Sequence, residues 1–322
     1  MFRQYDHQLF LNTVEGPGGD ATVLRLKHPT TGVDTGRGLG LTCDGNHRWC
    51  ALDPRRGTAL VVAEAVMNLA CVGARPIAVV DCLNFGNPEH PEVMWQLSEA
   101  IDGLADACRA FGLPVIGGNV SLYNETAGTD IHPTPVVGVL GLVDRLDSRP
   151  PGTVLVAGDR VLQVGPMPSG GVLGGSAWAW RQEHRGGDLP GLDSAAHTAV
   201  ASLVRGLVSD GVVSGVHDVA TGGAVVALAE MAVGSGVGAQ VAYPPDELFV
   251  EAPSRVLLSV PEAALAEVRA RAGALGVDVA DLGQAGGDRI SVDGVLDLAL
   301  DEVLEAWRDR LPAALGAGVT QG

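Results

Sequence analysis

The chain has 322 residues, of which 46% are apolar and 18% charged, and carries a formal net charge of −17. That length suits two domains, since single cores rarely outgrow about 250 residues, and the composition excludes a disordered chain. The acidic balance argues against a nucleic-acid partner, which needs clustered Lys and Arg, yet leaves nucleotides open because backbone N–H groups and Mg²⁺ can neutralise phosphates locally.

Ala21–Leu26 and Gly38–Thr42 read as short strands around the exposed, turn-rich insert HPTTGVDTGRG. Thr58–Val72 reads as a helix burying one face of Ala and Val, closed by Gly73. A buried strand, Arg75–Cys82, leads into the loop LNFGNPEHP; a helix, Pro91–Phe111, follows. The strand Leu113–Ile116 then opens into a loop, GGNVSLYNE, and Pro135–Val143 supplies another strand. This order predicts an α/β domain over residues 1–150 with ligand-holding loops at strand ends.

The Pro-Pro-Gly run places a linker near Arg149–Gly152 and a second α/β domain over 151–322. There we expect strands at Arg160–Gly165, Gly211–Val216 and Ser254–Val260, with helices at His197–Ser209, Gly223–Val233, Pro261–Leu275 and Asp301–Leu311.

The five cysteines, Cys43, Cys50, Cys71, Cys82 and Cys108, are odd in number and have no CxxC spacing, which favours reduced thiols in a cytoplasmic protein. The N-terminus MFRQYDHQLF has no apolar stretch, and no window approaches about 18 consecutive apolar residues, so neither an export signal nor a membrane span is expected.

Several residues carry chemistry in this pattern. Gly117 and Gly118 can bring backbone N–H groups close to a phosphate, with Asn119 and Ser121 as oxygen ligands; a tight turn is the alternative. Asp81 ends an apolar strand and either faces a cation or caps the next loop. Asp20, in GPGGDATV, suits Mg²⁺ or plain turn chemistry. Gly170 and Gly171 belong to a glycine-rich loop that either wraps a phosphate or is simply flexible. Asp218 precedes a helix start that favours an anion, and its alternative role is that helix's cap; the neighbouring His217 is a general base or, more ordinarily, a structural histidine.

The runs YDHQLFLNTVEGPGGDATVLRL, AVVDCLNFGNPEHPEVMWQ, PVIGGNVSLYNET, PTPVVGVLGLVD, SGGVLGGS, HDVATGGAVVALAEM and LFVEAPSRVLLSV occur in this order across Tyr5–Val260. Together they resemble the second half of the synthetase subunit of phosphoribosylformylglycinamidine synthase. The resemblance implies an AIR-synthetase-like α/β (α+β) architecture: an N-terminal barrel-forming, dimerising domain and a C-terminal α/β domain. It also implies an ATP-dependent ligase of purine biosynthesis that uses Mg²⁺ and ammonia delivered by a glutaminase partner. It places Asp81 and Gly118 at ATP, Asn119 at the metal and Ser121 at the ribonucleotide, with no catalytic residue in this half. The catalytic histidine of the family lies in a first half that this sequence does not contain, so the expectation is an inactive isolated chain that pairs with that half or, alone, with itself. The family's usual aspartate at position 221 is Thr221 here. A non-catalytic nucleotide-binding or scaffolding protein of the same fold is the alternative.

Overall fold

The computed structural model describes Gln8 and residues 11–166 and 171–316. The first half contains β1 (Thr13–Glu15), β2 (Thr22–Lys27), β3 (Asp34–Gly45), α1 (His47–Leu52), α2 (Pro54–Cys71), β4 (Arg75–Asn84) and α3 (Pro91–Phe111). It continues with β5 (Val115–Ser121), the small hairpin β6 (Glu125–Thr126) and β7 (Thr129–Asp130), and β8 (Thr134–Val143). Its six-stranded sheet runs β1-β2-β3-β8-β4-β5, antiparallel except for the β4/β5 pair.

Local chemistry sets the helix starts. The Asn46 side chain accepts from the backbone N–H groups of Arg48 and Trp49, and the Asp53 side chain accepts from that of Arg56, with Pro54 at the first turn of α2. These caps start α2 earlier than the apolar pattern suggests. α3 matches its expected bounds because Pro91 opens it and Gly112, in the left-handed region at φ 66°, ends it.

Two expectations are corrected here. The insert after Lys27 is strand from Asp34 onward, because pairing with β2 overrides its turn-rich composition. Likewise Gly117, Gly118, Asn119, Val120 and Ser121 are not a loop. They continue β5, held in parallel register by β4, with Asp81 opposite Gly118, Cys82 opposite Asn119 and Asn84 opposite Ser121.

The second half contains β9 (Arg160–Val164), α4 (Ala177–Arg181), α5 (Ser194–Ser209), β10 (Gly215–Asp218), α6 (Gly223–Ser235) and β11 (Ala239–Val241). β12 (Val256–Val260), α7 (Leu265–Ala274), β13 (Val279–Ala285), β14 (Arg289–Val292), β15 (Leu296–Ala299), α8 (Leu300–Arg308) and α9 (Arg310–Ala314) complete it. Its sheet runs β10-β12-β9-β13-β11-β14-β15, with only β11/β14 parallel. Both halves mix helices with mainly antiparallel sheets, so the α+β description fits the pairing better than a wound parallel sheet.

α2 is not the one-faced helix its sequence suggests: 14 of its 18 residues are buried, so it has almost no solvent face. Its Leu60, Met67 and Leu69 join Val79, Val137 and Val139 of the first sheet and Val200, Leu203 and Leu207 of α5 in one continuous core. The opposite face of the first sheet stays open, with Leu41 and Val80 exposed, and the edge strand β5 leaves Ile116 and Val120 exposed as well. None of the five cysteines forms a disulfide, and no described helix is long and apolar enough to cross a membrane.

Candidate nucleotide and metal site

Strand alternation sorts the β4/β5 residues onto two faces. Asp81 shares the helix-covered face with Val79 and Leu83, and its carboxylate raises the thiol pKa of Cys108 on α3 in addition to the larger effect of burial. Asp81 and Gly118 lie side by side there: a Cβ at 118 falls 2.5 Å from both Asp81 carboxylate oxygens, so only glycine leaves that carboxylate its place. Partial burial raises the Asp81 pKa. Asp81 sits within β4 rather than at its end, which removes the loop-capping alternative.

Asn119 and Ser121 face the open side. Asn119 Nδ2 approaches Cys82 Sγ at 3.8 Å, and Ser121 Oγ lies 3.2 Å from Asn124 Oδ1. All but the last residue of β5 are exposed, and its outer edge has no strand partner among the described residues. A ligand lying along that edge can therefore touch both faces.

A second group gathers where the two halves meet. Asp20, between β1 and β2, reaches His217 on β10: its Oδ1 lies 2.5 Å from His217 Nδ1, while His217 Nε2 lies 2.8 Å from Glu230 Oε2 on α6. Both ring nitrogens thus face carboxylates. Burial opposes charge on this imidazole, but Asp20, Glu230 and Asp218 outweigh it and hold the pKa well above the usual histidine range. The Asp218 carboxylate lies 3.8 Å from His217 Nδ1.

Asp44 on β3 stands nearby, accepting from Asn68 Nδ2 at 2.7 Å and Thr42 Oγ1 at 2.6 Å; burial pushes its pKa up to about 6. Burial, reinforced by neighbouring carboxylates, raises Glu64 and Asp218 well above the carboxylate range. A cleft of about 430 Å³ opens onto Asp20, Glu64, Asn68, His217, Asp218 and Glu230, with Trp307 at its side.

One ligand atom from each of Asp20, His217 and Asp218 lies within 4.8 Å of the others, a spacing that fits a metal ion. Hard carboxylate oxygens crowded at a cost in burial match Mg²⁺ well; His217, occupied as a doubly bonded donor, matches it less well.

Asp218 does not cap the next helix. Gly222 is the N-cap of α6, and its N–H donates to Glu251 Oε1 at 2.7 Å, as does that of Ala177 at 2.7 Å. Glu251 Oε2 lies 3.6 Å from Arg48 Nη2, so one buried carboxylate links α4, α6 and α1. Neither Glu251 nor the Asp20–His217 contact was signalled by a local motif: LFVEAPS shows only an acid in an apolar run, and Asp20 and His217 are 197 residues apart in sequence. Gly171 stands against Asp246, whose carbonyl oxygen is 3.6 Å from a Cβ position, and Gly170 lies outside the described residues.

Residues 18–143 match the N-terminal domain of AIR synthase related protein, and residues 156–294 match its C-terminal domain. The chain belongs to the AIR synthase related family. Within that family it is 44% identical over 326 residues to phosphoribosylformylglycinamidine synthase subunit PurL of Moorella thermoacetica, covering 98% of this chain and 43% of that protein. The chain thus spans less than half the length of the curated relatives it matches. PurLQS from Thermotoga maritima superposes with a TM-score of 0.60 at 26% identity, covering 89% of this chain and 40% of that one. T. maritima PurL complexed with ATP superposes at 0.68 with 18% identity, covering 87% and 47% respectively, a likeness of fold.

Proposed function

We propose that this chain is the second half of the synthetase subunit of phosphoribosylformylglycinamidine synthase, an ATP-dependent ligase of purine biosynthesis. The 44% identity running along 98% of the chain carries this reading. In the reaction, the γ-phosphoryl group of ATP passes to the amide oxygen of formylglycinamide ribonucleotide, releasing ADP. Ammonia from a glutaminase partner then adds at that carbon and phosphate leaves, giving the amidine. Asp81 and Gly118 take ATP, Asn119 a Mg²⁺ ion and Ser121 the ribonucleotide, all grouped at the uncovered β5 edge, which supports this assignment. Asp20 and Asp218 hold a further Mg²⁺ that offsets the carboxylate crowding around them.

The open face of the first sheet pairs with a first half of the synthetase, and these 322 residues alone pair with a second copy through the same face. Exposed Leu41 and Val80 on that face, continued by Ile116 and Val120 on its unpaired edge strand, support that docking. We further place the protein in the cytoplasm, in keeping with its free thiols.

The test is to mix the 322-residue chain with a separately produced first half and assay amidine formation from ATP, ammonia and substrate. Activity is expected only in the mixture, and Asp81→Ala should lower it. Turnover by the chain alone, or full activity of the mixture carrying Asp81→Ala, overturns the reading; ATP binding with no activity in any mixture favours a scaffolding role.

A further inference from the structure

Where α1 and the start of α3 meet the segment after α4, a pocket of about 450 Å³ opens between the halves, lined in part by Arg48, Glu92, Gln96, His132, His184 and Arg185. It shares no residue with the β5 edge or the carboxylate cleft. In a chain with only 21 Lys and Arg against 38 Asp and Glu, two arginines and two histidines around one cavity are a local gathering of donors, and with Arg48 paired to the buried Glu251 it is Arg185 that brings the cavity an uncompensated positive charge.

The arginines are held in place by groups other than exposed acids. Arg185 lies with its guanidinium carbon 3.7 Å above the centre of the Trp180 ring. Its Nη1 donates to the carbonyls of Trp180 at 2.7 Å and His184 at 3.3 Å. Among the described residues these partners are carbonyls, so the charge of Arg185 meets no carboxylate. Trp180 is itself fixed edge-on against His47 and His132, at centroid distances of 5.4 and 5.8 Å. Arg48 is anchored through Nε to the Gly175 carbonyl at 3.1 Å. Gly175 reaches this position only as glycine: its φ is +70°, and a Cβ falls 2.8 Å from Trp49 Cδ1. A cation fixed beforehand loses little freedom on meeting an anion.

Glu92 adds a second requirement. A carboxylate at the rim repels a ligand that is anionic throughout but accepts hydrogen bonds from hydroxyls, and Gln96 can both donate and accept. The cavity is of small-molecule size. We propose that this pocket binds a sugar phosphate, its phosphate on Arg185, His132 and His184 and its hydroxyls toward Glu92 and Gln96.

Calorimetry on the full chain with ribose 5-phosphate, inorganic phosphate and ribose as probes tests this. Ribose 5-phosphate is expected to bind, inorganic phosphate more weakly, and ribose not at all. Arg185→Ala should weaken ribose 5-phosphate about tenfold and Arg185→Lys less, because lysine keeps the charge but loses the planar fork. Glu92→Gln should weaken ribose 5-phosphate while sparing inorganic phosphate. The proposal falls if Arg185→Ala and His132→Ala leave the affinity unchanged, if neither phosphate binds at about 10 mM, or if Ser121→Ala abolishes binding. Equal affinity for ribose 5-phosphate in Glu92→Gln overturns the sugar assignment.

Discussion

The Asp81 carboxylate occupies the space that a side chain at Gly118 would need, with both of its oxygens 2.5 Å from a Cβ built there. Gly118→Ala should therefore cost about 1–3 kcal/mol of stability through overpacking, and close to nothing in an Asp81→Ala background. Thermal unfolding of the double-mutant cycle checks this, and equal costs in both backgrounds would refute the coupling. In ATP titrations Asp81→Ala and Asn119→Ala should each weaken binding by about 1 kcal/mol or more.

The carboxylate cleft should respond to Mg²⁺. Asp20, Asp44, Glu64 and Asp218 are crowded out of water, and a divalent cation relieves their mutual repulsion, so Mg²⁺ should raise the unfolding midpoint of the wild type. Asp218→Asn should remove most of that increase. A Mg²⁺ effect as large in the variant as in the wild type would place the ion elsewhere.

His197 predicts a pH effect. It is 1% exposed, with Nδ1 2.9 Å from Ser254 Oγ, and burial lowers its pKa to about 4. The unfolded chain takes up this proton near pH 6.5 but the folded chain only near 4, so its contribution is complete above 6.5 and is lost as the pH falls through that window. The loss is on the order of 3 kcal/mol. Asp44 acts the other way: its penalty is present above about pH 6 and is relieved on acidification. The informative quantity is thus the difference between wild type and His197→Asn, which keeps a partner for Ser254. That difference should narrow from pH 7 to pH 4, and urea titrations giving a constant difference would be inconsistent with it.

Self-association should depend on the β5 edge. Ile116, 66% exposed, and Val120, 53% exposed, lie on a strand whose outer side is unpaired among the described residues. The double change Ile116→Lys and Val120→Lys is expected to convert a dimer into a folded monomer in sedimentation equilibrium, because lysines on an edge discourage pairing. A dimer that survives both substitutions would point to another face.

Much of the fold was legible because local signals agreed with tertiary demands: Pro91 and Gly112 bracket α3, and alternating valines mark β8. The signals failed where pairing overrode composition. Gly-Gly-Asn suggests a turn, yet β4 holds it extended as β5; β13 and β15, interrupted by Gly or Asp, give no strand pattern of their own. Asp20 and Asp218 could be singled out one at a time, whereas their meeting through His217 is a property of the halves packed together. Glu251 was hidden for the same reason, since its partners Ala177, Gly222 and Arg48 come from three separate stretches.

The burial of α2 between the first sheet and α5 makes peptide continuity between the halves dispensable for keeping them together. Asp147 and Ser148, in the connecting segment, are exposed, while the Arg56–Leu189 contact and the common core lie away from any cut made there. Two polypeptides meeting at that point should therefore assemble into one particle, the first bringing α2 already seated on its own sheet and the second bringing α5 to cover the flank left bare.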